Sequence, residues 1–117
     1  MYLLDEPSAH LDANARMEAA KAIRRTMESN EKAAMVIDHD IYFIDIVSDS
    51  LLVFEGEGGQ NGDAIGPLSL RKGMNRFLSE VGVTFRRDHD SHRPRINKTD
   101  SVKDREQKAS GEYFYAE

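Results

Sequence analysis

Apolar residues along this chain fall into short runs separated by polar breaks, and their period changes from one run to the next. Tyr2-Leu3-Leu4 is an apolar stretch that ends in two adjacent carboxylates, Asp5 and Glu6, and a proline, Pro7. Such a run before such a break predicts a strand over residues 1–4. From Asp12 to about Ser29 the period becomes helical. Ala15, Ala19, Ala22, Ile23 and Met27 recur at three- and four-residue steps, and Asp12 is placed to cap the helix. Ala33-Ala34-Met35-Val36-Ile37 is continuously apolar, which suits a strand covered on both faces of a parallel sheet. Ile41 to Val47 predicts a short helix, and Leu51-Leu52-Val53-Phe54 a third strand. Alternation of strand and helix in this order is the pattern of an α/β layer with right-handed crossovers.

Beyond this the character changes. Gly56 to Pro67 is rich in glycine and reads as a loop. Leu70, Met74, Phe77, Leu78 and Val81 then mark one face of a helix over residues 70–81, and Val83-Thr84-Phe85 reads as a short extended segment. From Arg86 to about Gly111 no sizeable apolar run occurs, so an irregular basic arm is expected. Tyr113, Phe114 and Tyr115 end the chain as an aromatic cluster expected to dock. No internal repeat is present. The expected division is a core segment at 1–57, followed at 58–117 by a linker loop, a helix and a C-terminal hinge segment.

Composition narrows the classes. A length of 117 residues suits one core, but 39% hydrophobic and 32% charged residues make that core modest. The net charge is −5, with acids dominant up to Glu57 and bases outnumbering acids thereafter. A local basic patch on an acidic chain is suited to phosphate. With no cysteine, disulfides, thiolate metal sites and a cysteine nucleophile are excluded. No apolar run reaches the roughly 18–20 residues of a membrane span, and the N-terminus is not a signal peptide, so no membrane contact and a cytoplasmic location are expected.

The chemistry is concentrated near the start. Adjacent carboxylates at the end of a strand are costly to desolvate without a cation or polar partner, so Asp5-Glu6 suggests a site. In nucleoside triphosphate hydrolysis, a strand-end Asp serves Mg²⁺ and a neighbouring acid acts on the attacking water. A turn or cap would use the same residues, and only context separates the two. Leu3-Leu4-Asp5-Glu6-Pro7-Ser8-Ala9-His10-Leu11-Asp12 followed one helix later by Val36-Ile37-Asp38-His39-Asp40 supplies that context. Together these runs resemble the second half of an ABC-type ATPase domain. The resemblance implies a partial P-loop NTPase parallel-sheet core. Asp5 would serve Mg²⁺, Glu6 would be the catalytic base, and His39 would contact the γ-phosphate of ATP. Ser8, His10, Leu11 and Asp12 would belong to the D-loop that crosses to a partner nucleotide-binding domain.

Two further features mislead. Gly56-Glu57-Gly58-Gly59-Gln60 looks like the ABC signature but follows the switch histidine rather than preceding the strand-end acids, and it is read as a loop. His89 and His92 flank Asp90 and imitate a metal site, where solvated arm residues are the commoner explanation. No G-x-x-x-x-G-K-[ST] occurs in these residues, so the backbone cradle for phosphates is missing. The expectation is a fragment that is inactive alone and only marginally stable.

The second half selects a branch. Gly66-Pro67-Leu68-Ser69-Leu70-Arg71-Lys72-Gly73-Met74-Asn75-Arg76-Phe77-Leu78, Val81 to Asp88, Arg93 to Lys98 and Ser101 to Lys108 resemble the end of the RNase L inhibitor family, most closely its archaeal members. These are ribosome-recycling ABC ATPases with two nucleotide-binding domains and an N-terminal iron–sulfur cluster domain, whose ligands would lie outside this chain. The resemblance implies partners in the ribosomal small subunit and in release or rescue factors. It makes Arg71, Lys72, Arg76, Arg86, Arg87, Arg93 and Arg95 candidates for rRNA phosphate, although pairing with acids of the same chain would also explain them. An ATPase domain of an ABC transporter and a non-catalytic ribosome- or partner-binding module are the alternative readings.

Overall fold

The structure, a computed structural model, describes residues 1–91 and 94–115, with nothing said of the Tyr115 side chain. Arg93 and His92, both singled out from the sequence, lie outside the described residues. The chain divides into two compact units, Met1–Ser48 and Asp49–Glu117. This division comes earlier than the expected one at Glu57.

The first unit contains β1 (Tyr2–Asp5), α1 (Ala13–Ser29), β2 (Ala34–Ile37) and α2 (Ile41–Val47). Helix α1 starts where Asp12 accepts a hydrogen bond from Ala15 N at 2.8 Å, satisfying one of the orphan donors of the first turn. It acts as the crossover that brings β2 parallel to β1, with Leu3 opposite Met35 and Asp5 opposite Ile37. Ala20 of α1 and Phe43 of α2 are fully buried. Arg16 Nη1 reaches Asp40 at 2.8 Å, so the start of α1 is tied to the cap of α2.

One expectation fails here. The apolar run of β2 predicts burial on both faces, yet the strand alternates between half-buried and exposed. Leu4 and Val36 are half-buried, whereas Leu3 is 72% exposed and Ile37 is 60% exposed. Side chains of a strand point alternately to opposite faces, and no layer within this unit covers the Leu3–Met35–Ile37 face.

The second unit holds β3 (Ser50–Glu55), β4 (Asp63–Ser69), α3 (Leu70–Val81), β5 (Phe85–Arg87), β6 (Pro94–Ile96), α4 (Val102–Ser110) and β7 (Phe114–Tyr115). Strand β3 was expected to extend the parallel sheet. It pairs antiparallel with β4 instead, Phe54 opposite Ala64 and Leu51 opposite Leu68. The second part of the expected glycine-rich loop is therefore strand. Its proline signal misled because the register shifts between Leu51 and Val53, so Pro67 falls at an irregularity where a missing N–H does no harm.

The expected irregular arm is ordered among its described residues. Strands β6, β5 and β7 form a sheet in that order, antiparallel between β5 and β6 and parallel between β5 and β7. The aromatic end does dock: the rings of Phe85 and Phe114 stack with centroids 5.0 Å apart, and both are buried with Met74 and Leu78. Polar groups do the rest. Asp104, only 1% exposed, accepts from the Thr84 hydroxyl at 2.6 Å, Asp100 N at 3.0 Å and Lys108 Nζ at 3.0 Å. Asn97 donates to Thr84 Oγ1 at 3.0 Å and Gln107 Oε1 at 2.6 Å, while Gln107 Nε2 donates to the carbonyls of Phe85 and Glu112. This network ties α4 to the sheet without needing an apolar stripe, which is why hydrophobic periodicity missed it.

Candidate functional site

The site lies in the first unit, where the C-terminal ends of the parallel strands β1 and β2 stand side by side. Asp5 closes β1 on its exposed face. The next residue, Glu6, donates its N–H to the Ile37 carbonyl at 2.7 Å and has a left-handed φ of 46°. A non-glycine residue there costs about 1–2 kcal/mol and turns the chain sharply away from the strand direction. His39 follows β2 on the neighbouring path, and its Nδ1 stands 3.2 Å from Glu6 Oε1. Both side chains are largely exposed, so their contact is a positional fact more than a source of stability.

Residues after Glu6 form a turn closed by Ala9 N to the Glu6 carbonyl at 3.1 Å and Leu11 N to the Ser8 carbonyl at 3.2 Å. Ser8 is 5% exposed. Its hydroxyl donates to Asp38 Oδ1 at 2.7 Å and its N–H to Asp38 Oδ2 at 3.1 Å. His10 is exposed with a left-handed φ of 64°, Leu11 is half-buried, and Asp12 is occupied as the cap of α1. Thus Glu6, Ser8 and His39 converge through short links, while His10 and Asp12 sit at the far end of the turn.

Asp38 is the residue at the candidate site to which the sequence pattern assigns no role. Besides Ser8 it accepts from His39 N at 2.8 Å and Asp40 N at 3.0 Å. Burial opposes its charge. The bonds from Asp40 N, the Ser8 hydroxyl, Ser8 N and His39 N outweigh that penalty, and the carboxyl titrates below its ordinary range. The available signal was an acid standing at the end of an apolar strand, the same signal that drew attention to Asp5.

Asp5 offers the hard carboxylate oxygen that Mg²⁺ prefers, and its exposure leaves room for a hydrated ion. Among the described residues no group of three or more His, Cys, Asp or Glu is placed to hold a metal. One exposed carboxylate is a donor set that would suit Mg²⁺ held chiefly by phosphate oxygens and water. Asp88 Oδ1 accepts from Asp90 N at 3.0 Å and Ser91 N at 3.2 Å, so the acid closes a turn.

The basic candidates in the second unit are largely engaged with polar groups of that unit. Arg76 Nε and Nη2 both donate to the Glu55 carboxylate, Arg71 lies 3.4 Å from Glu112, and Arg95 lies 3.2 Å from Asp88. Arg86 Nε donates to Asn97 Oδ1 at 2.7 Å. Arg71 and Arg95 keep more than half of their side-chain surface exposed, and Lys72 is exposed. No helix among the described residues is long and apolar enough to cross a membrane.

No protein-family model matches the chain. Individual proteins do. The translation initiation factor RLI1 of Saccharomyces cerevisiae is 50% identical over 115 residues, 98% of this chain and 19% of that protein. A solved structure described as RNase-L inhibitor superposes with a TM-score of 0.92 and 59% identity over 99% of this chain and 22% of that one. The chain belongs to the RNase L inhibitor family. A structure of ribosome-bound archaeal Pelota and ABCE1 agrees, with 63% identity and a TM-score of 0.90 over 98% of this chain and 19% of that one. The chain thus spans about a fifth of the length of the RNase L inhibitor proteins it matches. It is an α/β segment of an ABC-type ATPase family, and ATP and Mg²⁺ are the cofactors of such ATPases in general.

Proposed function

We propose that this chain is the hydrolytic and switch portion of an ABC-type ATPase that uses ATP to split ribosomal subunits. The observation that carries the reading is the pairing of Glu6 with His39 at the ends of two adjacent parallel strands, 3.2 Å apart. A carboxylate at that place is suited to accept a proton from the attacking water, and the imidazole beside it presents its other nitrogen, Nε2, to a terminal phosphate. Asp5 would hold Mg²⁺, which when bound offsets the charge developing on the transferred phosphoryl group. Ser8, His10, Leu11 and Asp12 form the turn that would meet a partner nucleotide-binding domain. The exposed His10 is its best placed contact, since the Ser8 hydroxyl and the Asp12 carboxylate are already committed.

These 117 residues contain no phosphate loop, so turnover requires one from elsewhere in the ATPase. The iron–sulfur cluster of the family has no ligands here, the chain having no cysteine. The ribosomal small subunit and a rescue factor are the partners this reading implies, in the cytoplasm. The similarity to a structure of ribosome-bound Pelota and ABCE1 supports it. Lys72 and the exposed Arg71 and Arg95 are the residues through which rRNA phosphate would be met.

The test is to place this chain in an archaeal recycling ATPase in exchange for its own matching segment. ATP-dependent release of subunits, followed by density-gradient sedimentation, should be retained. ATP turnover without subunit release would instead favour a transporter-type ATPase segment. Ribosome binding that persists after Glu6→Gln, with subunit release unaffected by that change, would favour a non-catalytic module.

A further inference from the structure

The hydrogen bonds of Asp38 are more than a strand-end turn requires. Four donors reach the carboxylate: Ser8 Oγ at 2.7 Å, His39 N at 2.8 Å and Asp40 N at 3.0 Å converge on Oδ1, and Ser8 N reaches Oδ2 at 3.1 Å. Two of those donors belong to the turn after β1 and two to the exit of β2. With Oδ1 crowded by three donors and Oδ2 engaged by Ser8 N, the carboxylate joins the two strand exits as a clamp. The clamp sits where one is needed. Glu6 occupies a left-handed conformation that persists only if the surrounding chain enforces it. One constraint on Glu6 is its own N–H to the Ile37 carbonyl. The other is the anchoring of Ser8, two residues on, by a side chain that also grips the backbone of His39.

We propose that Asp38 is a positioning residue of the hydrolytic site, clamping the Ser8 turn to the His39 backbone so that Glu6 and His39 stay within reach of each other. This deepens the hydrolytic reading and rests on it. Asp38 touches neither substrate nor the transferred group. Its effect passes through the placement of Glu6 and His39, where a displacement of about 1 Å costs on the order of 100-fold in rate.

The test uses a complete ATPase carrying this segment. Asp38→Ala should lower kcat by roughly 10- to 100-fold, with KM for ATP within about twofold of the unmodified enzyme. Asp38→Asn should recover most of the loss, because an amide oxygen keeps the three bonds made to Oδ1 and only the Ser8 N–H loses its acceptor. Ser8→Ala should fall between the two, and adding it to Asp38→Ala should cost nothing further. In the 117-residue chain, protection of the Ser8 amide against hydrogen exchange should drop in Asp38→Ala and persist in Asp38→Asn. Unmodified kcat in Asp38→Ala, while Glu6→Gln abolishes turnover, would overturn the clamp and leave the hydrolytic reading standing. Equal losses in the Ala and Asn variants would do the same. Full turnover by Glu6→Gln would overturn the hydrolytic reading itself, and the clamp with it. Should Asp38→Ala not fold, Asp38→Asn and Ser8→Ala decide the matter by the same kcat and KM comparison.

Discussion

Gly73 reports how closely α3 lies on β3, and its replacement by alanine separates two effects of opposite sign. In an exposed helix interior the change would stabilise by about 0.8–1 kcal/mol, because alanine loses less backbone freedom on folding. Gly73 is buried, however, and a Cβ at this position would lie 2.7 Å from Leu51 Cβ, 2.9 Å from its Cδ1 and 3.1 Å from its Cγ. The nearest of these atoms is fixed to the strand backbone, so no rotation of Leu51 removes it. Either the helix or the strand must move. Overpacking of this kind costs about 1–3 kcal/mol. Set against the helical gain, Gly73→Ala should destabilise by roughly 0–2 kcal/mol. Leu51→Ala in the same chain removes the Cδ1 and Cγ contacts and leaves the Cβ contact. Gly73→Ala should therefore cost less in that background than in the unmodified one. Urea unfolding of the 117-residue chain, followed by far-ultraviolet circular dichroism, gives both values from the midpoint at constant slope. A gain of the full 1 kcal/mol in the unmodified background would refute the close approach of α3 to β3.

Three other outcomes are expected. The Asp104 carboxyl is held below its ordinary value by the Thr84 hydroxyl and Asp100 N–H, against the cost of desolvation, with help from Lys108. Its folded-state pKa is thus below the unfolded one, so its stabilisation is present above about pH 4 and is lost as pH falls through the folded value. Asp104→Asn should therefore be less stable than the unmodified chain near neutrality, and the gap in urea midpoint should close as the solution is acidified. Glu31, just past the end of α1, has a left-handed φ of 51°, so Glu31→Gly should raise stability by about 0.5–1 kcal/mol in the same assay. Ile37→Lys, on the bare apolar face of β2, should reduce self-association of the chain in sedimentation velocity while leaving its helical content unchanged.

How much was legible in advance follows from which forces held each element. Helices α1 and α3 were readable from an apolar face, supported for α1 by the Asp12 cap, and the structure adds Ser69 as the cap of α3. The parallel pairing of β1 with β2 followed from apolar runs joined by a helix. The partner of β3 did not, since a four-residue apolar run fits an antiparallel hairpin as well as a parallel sheet, and Gly66-Pro67 concealed the returning strand. The C-terminal part was hidden for a different reason. Thr84, Asn97, Asp104 and Gln107 hold it together through hydrogen bonds, and hydrophobic patterning carries no trace of them. Ser101, whose hydroxyl accepts from Asp104 N at 3.2 Å, and Gly111, closing α4 in a left-handed conformation, cap the two ends of that helix, a signal the reading of an irregular arm did not use. At the candidate site, Glu6 and His39 were named from the sequence and the structure brings them together. Asp38 was passed over because its importance lies in backbone donors that only the folded turn presents.

The most direct measurement is single-turnover ATP hydrolysis by the complete ATPase carrying this segment, with Glu6→Gln and His39→Ala beside it. If Glu6 activates water and His39 contacts the terminal phosphate, both variants should still bind nucleotide. Hydrolysis should fall by at least about 100-fold in Glu6→Gln, as expected when a positioned base is lost, and fall substantially in His39→Ala. Hydrolysis at the unmodified rate in Glu6→Gln would contradict the assignment of this strand-end pair as the hydrolytic site.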